Sequence, residues 1–299
     1  MNTPDVSVIV LTCNQRDTIA RTLDSILSQT TDNITFEIVI GDDASADGTR
    51  EICSDYAASY PDIIRLLPKA PNKGVVDNYR DAFTACRGRY IADCAGDDAW
   101  LDTGRMEAQT RCLDTNPDVV VVYGDWVEVT SCGECVAHRK PYGMGDTAVT
   151  TEGRNLIEPL LAHNSPLTVH LSTAMYRRST LMEALHDRPA VVFDRSFGCE
   201  DLPLTAALLA RGNAAYIPGD VLAYTVGRQS VSNPASAAKS LSYFKATVRC
   251  TAILADYYGI KSPDIDRYFA EKKAYMAKLA LKCGLFADAI RIIFSRKWV

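Results

Sequence analysis

The feature that most limits what this chain can fold into is a regular alternation of short apolar runs with helix-period segments along its N-terminal half. Val6 to Leu11 is almost wholly apolar, and Asp17 to Gln29 then sets Ile19, Leu23, Ile26 and Leu27 on one helical face. Phe36 to Ile40, Ile63 to Leu67 and Arg89 to Cys94 repeat the apolar run. Helical segments separate them: one opens at Asp47-Gly48-Thr49 and carries Ile52 and Tyr56. A second carries Val75, Tyr79, Ala82, Phe83 and Cys86, and a third runs from Trp100 to Thr115, where Asn116-Pro117 closes it. Unbroken apolar strands are buried on both faces, and strands that alternate with helices build a mostly parallel sheet covered by helices. Val119 to Tyr123, continued by Trp126 to Val129, is a fifth strand.

Beyond it the pattern loosens. Thr130 to Thr151 is turn-rich and reads as hairpin and loop bordering a binding site. Ser172 to Tyr176 reads as a strand, Ser179 to His186 and Asp201 to Arg211 as helices, and Ala214 to Ile217 and Val221 to Val226 as closing strands. From Ala235 the pattern is helical, with breaks near Ser262-Pro263 and Gly284.

The bulk composition excludes several classes. With 299 residues, 47% of them hydrophobic and 23% charged, the chain can bury a sizeable core. A net charge of −5 argues against a surface built to neutralise nucleic-acid phosphates, while leaving small anions reachable through a metal. The 10 cysteines are scattered singly, as in a reduced cytoplasmic protein. Only Cys132-Gly-Glu-Cys135 has metal-like spacing, and without a second pair it reads as a hairpin turn. Met1 to Val6 has neither a basic nor a long apolar stretch, so secretion is not expected, and no stretch approaches the ~20 apolar residues of a membrane span. A cytoplasmic location is expected, with peripheral contact at the inner face of a membrane as the open alternative.

Charge is concentrated at the ends of the apolar runs. Tyr90 to Cys94 leads through Gly96 into two adjacent carboxylates, Asp97 and Asp98, and Phe36 to Ile40 leads into Gly41-Asp42-Asp43. Asp is a poor strand residue and expensive to bury, so a pair at a strand mouth calls for a compensating cation. Hard divalent cations such as Mg²⁺ take carboxylate oxygens and complete their shell with substrate phosphates. Thr12 and Asn14 end the first strand, and Asn72-Lys73-Gly74 follows the third. In open α/β sheets ligands bind beyond the carboxyl ends of the strands, which is where these residues converge.

Val8-Ile-Val-Leu-Thr-Cys-Asn14, Asp42-Asp-Ala-Ser-Ala-Asp-Gly-Thr49, Asn72-Lys-Gly74 and Gly96-Asp-Asp-Ala-Trp100, in that order, resemble the family 2 glycosyltransferases of the GT-A fold. The resemblance covers roughly residues 5 to 230. It implies an inverting enzyme that moves a sugar from a nucleoside-diphosphate sugar, UDP-sugar by default, to an acceptor hydroxyl with the help of Mn²⁺ or Mg²⁺. The expected setting is bacterial surface polysaccharide or glycolipid synthesis, with a saccharide or lipid-linked saccharide as acceptor. It further implies a GT-A domain over 1–232, its nucleotide-sugar half to about 125 and its acceptor half from 126, followed by a helical extension over 233–299.

By the same resemblance, Asp43 accepts a hydrogen bond from the nucleotide base, Thr12, Asn14 and Lys73 line that pocket, Asp98 ligates the metal, and Asp97 faces the ribose or donor sugar. The acidic pair ahead of a helix, Glu200-Asp201, matches the family's catalytic base: Asp201 is the first choice and Glu200 the alternative. Arg228, after the last strand, is expected to clamp the diphosphate. Leu11 and Cys13 depart from the Pro and Tyr that many members carry.

Some residues carry two readings. Trp100 is a candidate acceptor contact, with core packing as its other reading. Arg177-Arg178 reads as a solvated pair. From Tyr275 to Val299, apolar residues at helical spacing mix with Lys278, Lys282, Arg291, Arg296 and Lys297, as in a helix that lies on a membrane or packs on the domain or on a second copy in a homo-oligomer. The rival functions are a sugar nucleotidyltransferase and a non-catalytic nucleotide-sugar-binding protein of the same fold.

Overall fold

The computed structural model describes residues 3–164, 167–227 and 236–294. It opens with β1 (Val6–Thr12), α1 (Ile19–Leu27), β2 (Phe36–Asp42), α2 (Thr49–Ser59), β3 (Ile64–Leu66), α3 (Val75–Ala85) and β4 (Tyr90–Ala95). The two-residue β5 (Ala99–Trp100), α4 (Arg105–Thr115) and the long β6 (Val119–Val129) follow. Next come β7 (Cys135–Arg139), β8 (Val149–Glu152), α5 (Arg154–Leu161), β9 (Met175–Arg177), α6 (Arg178–Asp187), α7 (Pro189–Val192), α8 (Asp201–Leu209) and β10 (Asn213–Thr225). Three further helices are α9 (Ala237–Tyr258), α10 (Pro263–Lys282) and α11 (Phe286–Phe294).

The strands make one 10-stranded sheet in the order β3-β2-β1-β4-β9-β6-β10-β5, with β7 beside β6 and β8 beside β10. β3, β2, β1 and β4 are mutually parallel, because each connection carries a helix across one face of the sheet. β10 runs parallel to β6, while β9 is inserted antiparallel between β4 and β6. Side chains alternate between the two faces. Val6, Val8 and Val10 of β1 pack with Ile19, Leu23 and Met106 under α1 and α4. Ile9, Val39 and Ile91 join Tyr79, Phe83 and Leu204 under α3 and α8.

Three departures from the sequence reading have physical causes. α5 carries Pro159 inside it, which hid its helical period. The two predicted closing strands are one strand, β10, whose pairing with β6 shifts register between Tyr216 and Asp220, where Pro218-Gly219 cannot sustain a regular ladder. Arg177 is not part of a solvated pair: its guanidinium donates to the main-chain oxygens of Val119 at 2.7 Å, Leu113 at 2.6 Å and Asn116 at 3.0 Å. Cys132 and Cys135 do sit at the β6–β7 hairpin, as free, exposed thiols.

Candidate active site

The carboxyl ends of β1 and β2 are held together to their last residues, where the Asp43 amide donates to the Thr12 carbonyl at 2.9 Å. The buried Asp43 carboxylate then accepts from the Lys73 amide at 2.8 Å and the Gly74 amide at 3.0 Å. Asn72 Nδ2 donates to the Asp43 carbonyl at 2.9 Å. Asp43 is therefore the hub that folds residues 72–74 across the sheet edge. Lys73 contributes its backbone there, while its ammonium turns to Asp81 at 2.6 Å. Asn14 adopts φ 54°, a left-handed conformation that Asn tolerates, and braces the turn after β2. Its amide donates to Ser45 Oγ at 2.8 Å and its Oδ1 accepts from the Ala46 amide at 2.9 Å. Thr12 Oγ1 is buried and makes no hydrogen bond within the protein. It faces Gly96, where any Cβ would fall 2.8 Å from it and 2.5 Å from Gln15 Oε1, so only glycine fits.

After β4 the chain turns back through Gly96-Asp97-Asp98 into β5, and the two carboxylates take different environments. Asp98 is 1% exposed. Its Oδ1 accepts from the Thr225 amide at 2.9 Å, its carbonyl accepts from Thr22 Oγ1 at 2.6 Å, and its buried Oδ2 has no hydrogen-bond partner. Burial, and then the neighbouring Asp97 charge, push the Asp98 carboxyl well above its ordinary range. Asp97 is half-buried, and its carbonyl accepts from Arg21 Nη2 at 2.8 Å and Thr225 Oγ1 at 2.5 Å. Two adjacent carboxylates, one with an orphaned buried oxygen, fit a hard divalent cation. Among the described residues no group of three or more metal-ligating side chains gathers, so phosphate and water oxygens would complete such a shell.

On the other side of the cleft, Gly198 takes φ 71° and turns the chain into Cys199-Glu200-Asp201 at the start of α8. Asp201 Oδ1 accepts from the Leu202 amide at 2.7 Å. Asp201 is exposed at the start of α8, yet the protein around it strips part of its hydration. Loss of hydration pushes its carboxyl up, against the Leu202 amide and the Cys199 thiol. Glu200 is pushed up too, by burial and then by Asp201 beside it. A helix N-terminus favours the charged carboxylate, yet here desolvation wins. The buried Asp77 of α3 pairs with Arg195 at 2.5 Å and Arg80 at 2.9 Å, which ties the loop ahead of α8 to the donor side.

Sequence reasoning missed the residues between these centres. Tyr224 lies half-buried on β10, its hydroxyl pushed up to about 12 by burial and then by Asp98, Asp97 and Asp201. His170 packs against it at 4.9 Å and against Trp126 at 5.2 Å between ring centroids. Burial and the nearby Arg105 push His170 down to about 4, so it stays neutral near pH 7. Arg21 and Thr225, which hold the acidic turn, were also missed. Arg21, Tyr224 and Thr225 belong to ordinary helix or strand patterns, and His170 to a loop, so all become visible only once the chain is folded. Trp100 is a correction to the acceptor assignment: it is 5% exposed in the core, with the Arg105 guanidinium 4.1 Å above its ring. Arg228 lies outside the described residues.

A mostly parallel sheet with acids at the carboxyl ends of β2 and β4 is the architecture of glycosyltransferases of the GT-A fold. The family-wide sequence model for glycosyl transferase family 2 matches residues 7–184, more than half of the chain, and the chain belongs to that family. An uncharacterised Mycobacterium tuberculosis protein, Rv1520, is 37% identical over 118 residues, 40% of this chain and 34% of that one. The Escherichia coli protein WfaP, a UDP-Glc:alpha-D-GlcNAc-diphosphoundecaprenol beta-1,3-glucosyltransferase, is 39% identical over 112 residues, 37% of this chain and 41% of WfaP. The chain thus covers about a third to two-fifths of these relatives. Among solved structures, Staphylococcus aureus TarS 1-349 in complex with UDP-GlcNAc superposes with a TM-score of 0.61 at 19% identity, covering 98% of this chain and 74% of that one. Pyrobaculum calidifontis mannosyltransferase PcManGT, in complex with GDP-Man and Mn²⁺, gives 0.58 at 19% identity, covering 100% and 83%. Both share the fold.

Proposed function

We propose that the chain is an inverting glycosyltransferase that transfers a sugar from a UDP-sugar to a hydroxyl of a saccharide acceptor carried on a lipid, in surface polysaccharide or glycolipid synthesis. The observation that carries this reading is that two carboxylate centres, Asp97/Asp98 and Glu200/Asp201, both lie near Tyr224, close enough for the charges of Asp98, Asp97 and Asp201 to act on its hydroxyl. The UDP-GlcNAc bound to TarS and the UDP-Glc and diphosphoundecaprenol in the name of WfaP support the donor and acceptor classes.

The half-buried Asp97 and the buried Oδ2 of Asp98 would hold Mn²⁺ or Mg²⁺. Such an ion neutralises charge on the departing diphosphate when bound. Asp98 is anchored to the Thr225 amide through Oδ1, which fixes the turn that carries both carboxylates. The unpartnered Oδ2 supports Asp98 as the direct ligand, with Asp97 beside it toward the ribose or donor sugar. Asp43, Thr12, Asn14 and the backbone at Lys73 shape the base pocket. Asp201 takes the proton of the acceptor hydroxyl as that oxygen attacks the anomeric carbon from the face opposite the diphosphate. Its raised carboxyl makes it a stronger base than an ordinary aspartate, and Glu200 beside it, pushed up to about 8, largely keeps its own proton near pH 7.

A sugar nucleotidyltransferase is disfavoured because β1 leads into Thr12-Cys-Asn-Gln-Arg16, with no glycine-rich phosphate loop. Thermal shifts with UDP, GDP and dTDP, each with and without Mn²⁺, test the reading: a bound nucleotide raises the melting temperature by mass action. The expected result is a UDP shift that grows with Mn²⁺. The absence of a shift with any nucleotide would overturn the assignment, and binding without turnover of any sugar donor would favour the non-catalytic alternative.

A further inference from the structure

α11 packs on the rest of the molecule through one face only. Ala289 is buried and Ile292 partly so, against Leu241 and Phe244 of α9 and Met276, Leu279 and Ala280 of α10. Among the described residues nothing covers the opposite face: Phe286 is 65% exposed, Ile290 59% and Ile293 48%, at the i, i+4, i+7 spacing of one helical stripe. Leu281 and Leu285 extend the same apolar surface. Contiguous exposure on this scale marks an interaction site, since lone apolar residues are common on surfaces but stripes are not.

Charge says what the stripe meets. From Tyr275 to Val299 the sequence carries five basic residues, Lys278, Lys282, Arg291, Arg296 and Lys297, and one acid, Asp288, in a chain of net charge −5. Lys278, Lys282 and Arg291 are exposed around the stripe. A second copy of an acidic protein would bring another such basic helix to a symmetric contact, whereas an anionic bilayer surface satisfies both the apolar stripe and its cationic border. No described helix is long and apolar enough to cross a membrane, so the contact is with its surface.

The position of the stripe relative to the cleft adds a second argument. Leu241 and Phe244, which hold α11, flank Tyr243, and Tyr243 lies close enough to Asp201, Cys199 and Glu200 for their charge to raise its hydroxyl further. Gly198, just before the catalytic pair, packs on the same helix, with its Cβ position 3.0 Å from Ala246 Cβ. One helix thus joins the candidate base to the apolar stripe.

We infer that α11 and the end of α10 dock on an anionic lipid surface, with Phe286, Ile290 and Ile293 inserted and Lys278, Lys282 and Arg291 at the headgroups. Docking there brings the acceptor side of the cleft to the bilayer.

The test is co-sedimentation of the full chain with phosphatidylglycerol-containing vesicles and with pure phosphatidylcholine vesicles, without donor or acceptor, together with light scattering for mass in solution. The protein is expected to bind the anionic vesicles in a salt-sensitive way, and the triple variant Phe286→Ser/Ile290→Ser/Ile293→Ser to lose at least about ten-fold in partitioning at an unchanged UDP thermal shift. Lys282→Glu/Arg291→Glu, on exposed positions that leave the core alone, is expected to lose the preference for anionic lipid. Equal binding by wild type and both variants, or no vesicle binding by wild type, overturns the proposal. A stable dimer that the triple variant dissociates overturns it in favour of self-association. Because no substrate is present, the result stands apart from the glycosyl-transfer reading.

Discussion

The two sides of the cleft are built differently. On the donor side, Asp43 and Asn14 spend their polar atoms on neighbouring backbone: Asp43 on the Lys73 and Gly74 amides, Asn14 on Ser45 and Ala46. On the acceptor side, Asp201 has the Leu202 amide and the Cys199 thiol, and desolvation dominates both members of its pair. Asp43 and Asn14 are thus spent on shaping the turns, while the proposed reactivity rests with the Glu200-Asp201 pair. Removing the first kind should loosen a pocket; removing the second should stop chemistry without loosening anything.

The largest expected effect follows from that contrast. Asp201→Asn should lower transfer by about 10²–10⁴-fold while the UDP thermal shift stays as in wild type. Transfer at wild-type rate would dissolve the distinction. Asp97→Ala should abolish the Mn²⁺-dependent part of the nucleotide shift and leave the metal-independent part, as read by titrating Mn²⁺ at fixed UDP.

Next comes Asp93 on β4, buried beside the mutually bonded hydroxyls of Tyr79 and Tyr176. Burial pushes its carboxyl up to about 7. An acid raised in the folded state weakens the fold where it must ionise. Its penalty is absent below about pH 4, grows as pH climbs to 7, and is complete above. Asp93→Asn should therefore gain stability on the order of 2–4 kcal/mol at pH 8 and nothing near pH 4, measured by urea unfolding at both values. A loss at pH 8 would mean that the tyrosines need the carboxylate.

Asp43→Ala should cost about 1–3 kcal/mol, because two backbone amides lose their acceptor, and should weaken nucleotide binding in the same measurement. In wild type, the acid limb of kcat/KM should lie above the ordinary aspartate value near 3.9, since the base must shed its proton to work and its carboxyl is raised. Lys73→Ala is the smallest: its partly exposed pair with Asp81 predicts a stability change of about 0–1 kcal/mol and near-normal UDP binding. A large loss of binding would show that the ammonium swings into the pocket with ligand.

Legibility in the sequence followed the same divide. The donor side is made of local strand–helix units, so apolar period and turn acids disclosed β1 to β4, the Asp43 turn and the Asp97-Asp98 turn almost to the residue. Elements beyond β6 were harder, because their order is set by pairings distant in sequence: β9 is inserted between β4 and β6, and Pro159 masks α5. Tyr224 and Thr225 carried no local signal at all. Their relevance comes from the Thr225 amide meeting Asp98 across 127 positions of chain. The direction of the Asp201 shift was equally hidden, since the helix start at Asp201 argues for a lowered carboxyl and only the surrounding protein reverses it.

That same hydrogen bond has a consequence for how the molecule assembles. β1 to β4 can form through short-range contacts as the chain emerges from the ribosome, whereas β10 must close long loops before it reaches β5 and β6. The Asp98 carboxylate therefore lacks its amide partner until β10 is in place. The acidic turn is completed late in folding, so a nascent or truncated chain lacking β10 would hold the base pocket in near-final form while remaining unable to organise its phosphate end.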